Sequence, residues 1–199
     1  ASTLTINMDS GDVWTQTSSV PVDVSGARGP GNFYDGRDRI TSTQPIAVTQ
    51  GGYSAGAGPL LASDAAVLDL DKSGLQYDIP AGQNADYNSL FEYTGLVIVA
   101  TAADTTVDLD LDANGSLETS VVLDEGETHV VNGGVMLGAS VQADKRVSVY
   151  VTTGDVGATY ESRFFELYPT EIWADTYVSP VGAYDGVLGT RVFLFNPGA

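Results

Sequence analysis

Two tandem β-sandwich modules of an all-β fold are predicted by three features of this 199-residue chain. Its 23 glycines punctuate stretches rich in Val and Thr, which pack well on a pleated surface. Turn-forming clusters recur roughly every 8 to 12 residues, as strands of a sandwich require. The two halves also resemble each other, and internal self-similarity signals repeated structural units.

The self-similarity runs through three anchors in the same order. The stretch "TLTINMDSGD" from Thr3 aligns with "TVDLDLDANG" from Thr106, which sets Ile6 on Leu109 and Asp9 on Asp112. "ITSTQPIAVT" from Ile40 aligns with "VQADKRVSVY" from Val141, and "LQYDIPAG" with "DTYVSPVG", which sets Tyr77 on Tyr177 and Pro80 on Pro180. Module one is therefore expected over 1–88 and module two over 89–188. Between the anchors, "LLASDAAVLDL" (60–70) reads equally as a short helix or as loop plus strand.

Segment 189–199, "GTRVFLFNPGA", stands apart. Its apolar run matches "GLVIVATAA", which precedes the Thr106 strand of module two, whereas nothing comparable precedes Thr3. The expectation is a strand, Arg191, Val192, Phe193, Leu194 and Phe195, donated to a following module or subunit. Thr3, Leu4, Thr5 and Ile6 would belong to the receiving groove. An uncovered apolar edge invites association, so copies of the chain joined head-to-tail would build a filament, sheath or surface layer.

"LVIVATAADTTV", with the "ITSTQPIAVTQGG" and "VQADKRVSVYVTTG" segments and the Tyr-x-x-Pro closures, resembles the amino-terminal repeats of IgGFc-binding-type proteins. The resemblance implies an extracellular β-sandwich repeat of a large cell-surface or matrix protein. It implies no antibody binding, because no residue set for that can be matched.

Charge narrows the partners. With 26 acidic against 8 basic residues the formal net charge is -18, which repels phosphate backbones and anionic lipid. Nucleic acid is excluded as a partner on this ground. No apolar run approaches the roughly 20 residues of a membrane helix, so no membrane insertion is expected. Cysteine is absent, which removes disulfides and thiolate metal sites. The cations Arg28, Arg37 and Arg39 gather in "GARGPGNFYDGRDR", where they could dock an acidic face of a neighbour or be neutralised by Asp35 and Asp38.

The most chemical stretch is "DLDLDANGSLE". Asp110, Asp112 and Asn114 recur at every second position before Gly115, the spacing with which oxygen ligands wrap a hard cation. Glu118 supplies a fourth ligand, and Ca2+ is the cofactor this pattern suggests. Val121 stands where an EF-hand has its bidentate Glu, so a true EF-hand is excluded. Asn114 also begins the sequon "NGS", and a glycan there would compete with ligation.

No catalytic site is expected. "GYSAG" matches a nucleophile elbow around Ser54, but the alternating strands and helices that carry one are missing, and His129 is the sole histidine. Tyr160, Phe165, Tyr168 and Trp173 could form a sugar-stacking platform or cap a sandwich. A structural extracellular protein is thus the leading expectation, and an adhesive or carbohydrate-binding module the alternative.

Overall fold

The computed structural model describes residues 4–15, 39–52, 63–85, 91–154, 162–178, 183–184, 188–189 and 193–196. Thr3, Arg28, Arg37, Ser54, Tyr160, Arg191 and Val192 lie outside the described residues.

The fold is all-β with antiparallel pairing throughout the described sheets. Its strands are β1 (Thr49–Gly52), β2 (Ser63–Ala66), β3 (Gly74–Asp78), β4 (Tyr93–Ala100), β5 (Thr105–Asp110) and β6 (Thr119–Leu123). They continue with β7 (Thr128–Val131), β8 (Ser140–Gly154), β9 (Ser162–Glu166), β10 (Ala183–Tyr184) and β11 (Leu188–Gly189). The stretch 60–70 resolves, within its described part, into strand β2 and the start of a 3-10 turn over Leu70–Lys72.

β8 organises the rest. Its first part pairs with β3 and β5, its second with β4 and β9, in the order β6-β5-β8-β4-β7 with β3 and β9 also on β8. The register with β3 jumps from Gly74↔Val147 to Gln76↔Gln142, a bulge that bends the long strand between its two sets of neighbours. The residues at the bend are Asp144, Lys145 and Arg146, and each holds a neighbouring stretch of chain. Asp144 accepts from the Thr106 N–H at 2.8 Å, and Lys145 donates to the carbonyls of Ala103 and Asp104 at 2.6 and 2.7 Å. Arg146 donates to the Ser73 carbonyl. These three charged residues thus sit where β8 changes its neighbours.

Both halves of the bent sheet share one core. Tyr77, Ile79, Leu96, Ile98, Val107, Leu109, Val141, Val147, Val149 and Val151 pack in a single buried cluster. Each fully buried aliphatic side chain contributes about 1.5 to 3 kcal/mol. On the outer face of β4 and β8, Ala65 of the β1–β2 hairpin packs with Val97, Tyr150 and Phe164. Residues 147–154 are consequently buried throughout, covered on both faces.

This sheet takes strands from both sides of position 88, because β3 is hydrogen-bonded to β8. The free side of β3 is closed by a 3-10 turn over Thr170–Ile172, whose Glu171 accepts from the Leu75 and Gln76 N–H groups at 2.9 and 3.2 Å. Such a cap removes the unpaired donors of an edge strand. The Thr106 strand is present as β5, whereas its counterpart over residues 4–6 takes no strand. The difference is physical: Val107 and Leu109 are in the core, while Leu4 is 69% exposed.

Candidate functional site: an acidic loop at the end of β5

Along β5, Val107 and Leu109 face the core, and Asp108 and Asp110 face the other way, as the twofold strand period requires. The loop that follows turns sharply, with Ala113 and Gly115 at φ 61° and 85°. Gly115 meets no atom on its vacant side and adopts this left-handed conformation without steric cost.

Carboxylates hold the loop from inside. Asp110, only 6% exposed, accepts from the N–H groups of Asn114 and Gly115 at 3.2 and 2.7 Å. Asp112 accepts from the Asn114 backbone at 3.1 Å and from its Nδ2 at 2.9 Å. Glu118 reaches back to the Leu111 N–H at 2.8 Å, while its own N–H donates to the Leu109 carbonyl at 2.8 Å. The β5–β6 hairpin is thus closed by side chains as well as by its ladder.

Ligand oxygens of Asp110, Asp112 and Glu118 lie within 4.8 Å of one another. These three residues could hold a metal ion. The donor set is all carboxylate oxygen, which suits a hard cation such as Ca2+, with further ligands left to backbone carbonyls or water. Asn114 lies in the same loop, against Asp112. Its Oδ1 accepts from the Ser116 N–H at 2.7 Å and its Nδ2 faces Asp112, so it braces the loop.

The remaining expected residues are dispersed. Phe193 meets Phe91 edge-on at 5.3 Å, and Phe195 meets Trp173 at 6.5 Å. Leu194 between them is 89% exposed, and residues 193–196 take no strand. Thr5 and Ile6 are exposed near Leu4. Arg39 forms an ion pair with Glu125 of its own chain at 2.9 Å, on an exposed surface where such pairs contribute little. His129 sits on β7 opposite Ile98, and burial lowers its pKa. Phe165 and Tyr168 are exposed, and Trp173 donates its indole N–H to the Tyr168 carbonyl at 3.1 Å.

Residues that spacing could not single out include Glu166, whose carboxylate accepts from the Leu68 N–H at 2.8 Å and from the side chains of Ser148 and Tyr150. Burial raises its pKa and that of Tyr150. Glu166 ties the segment after β2 to β9, a structural role. None of the described helices is long and apolar enough to cross a membrane. No protein-family model, curated protein or solved structure matches the chain.

Proposed function

We propose that this chain is an extracellular structural protein, a stiff acidic β-unit that joins its neighbours head-to-tail through the segment 191–195 and is rigidified by Ca2+ at the loop 110–118. The observation that carries the reading is the exposure of Leu194 between Phe193 and Phe195, whose rings pack on the unit itself. An alternating segment with one apolar side seated and the other open offers an added strand a hydrophobic surface. Leu4 and Ile6, exposed and apolar, supply a matching element from another copy. The resemblance to IgGFc-binding-type repeats supports the same surface or matrix setting.

Concentration-dependent light scattering tests the proposal. The parent chain should grow in mass with concentration, and Leu194→Asp should hold it monomeric with unchanged circular dichroism. A parent chain that stays monomeric across the range would remove the proposal.

A further inference from the structure

Beside the acidic loop lies an open cleft of about 430 Å³, within the range of small-molecule sites. Gln76, Asp78, Ser140 and Asp110 line it from the sheet, and Phe195 and Asn196 from the chain's last described segment. Three of these form a row. Ser140 at the start of β8 is paired with Asp78 on one side and with Asp110 on the other, so all three point to one face. Asp78 and Asp110 stand two strand spacings apart, about 10 Å. Gly138 also lines the cleft, where a Cβ would make only ordinary contacts, 3.5 Å from Ala113 and 3.9 Å from Phe195.

The row has acceptor capacity to spare. Asp110 spends one lone pair of each oxygen on the loop. The Asp78 carboxylate receives no hydrogen bond from a described residue, and partial burial raises its pKa. This partly buried carboxylate is free to accept from the hydroxyl of a ligand. Phe195, held edge-on by Trp173, adds an apolar wall to this polar floor.

Three anionic or neutral ligand classes are distinguished by that lining. Phosphate, sulfate and carboxylate ligands are repelled by Asp78, Asp110 and the net charge of -18. A purely apolar ligand would bury Asp78, Gln76 and Ser140 without partners. A ligand with hydroxyls at its rim and C–H groups on its face satisfies both the floor and the wall. We propose that this cleft binds a neutral carbohydrate, with Phe195 against the sugar's C–H face and Asp78, Ser140 and Gln76 hydrogen-bonding its hydroxyls. The site shares Phe195 with the segment assigned to head-to-tail assembly, but glycan binding is read separately from mass growth, and it uses none of the exposed rings of Phe165 or Tyr168.

The labelled full-length chain is applied to an array of neutral glycans, and titration calorimetry follows with any disaccharide that retains it. At least one neutral glycan should bind. Asp78→Asn, which preserves shape and removes the charged acceptor, should weaken binding roughly tenfold or more. Phe195→Ala should do the same, and Phe165→Ala should leave it unchanged, all with parent-like circular dichroism. Retention of no neutral glycan would overturn the proposal. So would equal binding by Asp78→Asn, or a response to Ca2+ alone with no sugar bound.

Discussion

The phenol of Tyr77 on β3 donates to the Val147 carbonyl of β8 at 2.5 Å and accepts from the Gly74 N–H at 2.9 Å. This contact sits at the register jump between the two strands, where the backbone groups of Gly74 and Val147 meet the bend. Tyr77 is 1% exposed, so water cannot replace it.

Tyr77→Phe should therefore cost about 1 to 3 kcal/mol, since it strands a buried donor and acceptor. Urea unfolding should show a lower midpoint at unchanged slope. Burial, the largest cause, pushes the Tyr77 hydroxyl up to about 12. A group with a raised folded pKa stabilises below its unfolded value, so this contribution is complete below about pH 10 and declines towards pH 12. Ultraviolet titration of the native chain should find one more late-ionising tyrosine than Tyr77→Phe has.

Gly82 lies against the chain around Leu137. A Cβ at position 82 would stand 1.8 Å from the Leu137 nitrogen and 2.2 Å from the Met136 carbonyl carbon, backbone that cannot rotate away. Gly82→Ala should cost about 3 kcal/mol or more. Gly115→Ala meets no atom and should cost only about 1 kcal/mol through its left-handed backbone. Equal melting temperatures for the two variants would contradict the close approach.

Cation binding at the 110–118 loop should raise thermal stability. If Ca2+ binds the folded chain alone, a concentration of 100 times Kd adds about 2.7 kcal/mol. Tb3+ luminescence should saturate with the parent chain and fail to do so after Asp112→Asn combined with Glu118→Gln. A parent melting curve indifferent to millimolar Ca2+ would count against the cation.

Glu166 sets a pH dependence of opposite sign to that of an ion-paired carboxylate. Its folded pKa is raised, chiefly by burial and further by Asp69, while Leu68, Ser148 and Tyr150 lower it in part. The stabilisation is complete below the ordinary glutamate value of about 4.3 and is lost as pH rises through the folded value. The stability difference between the parent chain and Glu166→Gln should thus shift against the parent as pH climbs from about 4 to 7. A difference that stays flat over that window would show that Glu166 keeps its ordinary pKa.

Much of this molecule is legible in its residue order. The alternation of Val107 and Leu109 with Asp108 and Asp110 places β5 and its buried face, and the Asp-x-Asp-x-Asn-Gly spacing marks the loop where three carboxylates converge. These are local signals, because side-chain period and turn chemistry act over a few residues.

Pairing across distance was decided only by folding. Nothing in "LQYDIP" announces that β3 lies beside β8, or that Asp78 shares a row with Ser140 and Asp110, which are 62 and 32 residues away in sequence. The bend at Asp144, Lys145 and Arg146 within β8 distributes that strand between two sets of neighbours. Register and bend are settled by which arrangement buries the valines of β8 and satisfies the charges at its turn, and that energy exists only once the strands have met.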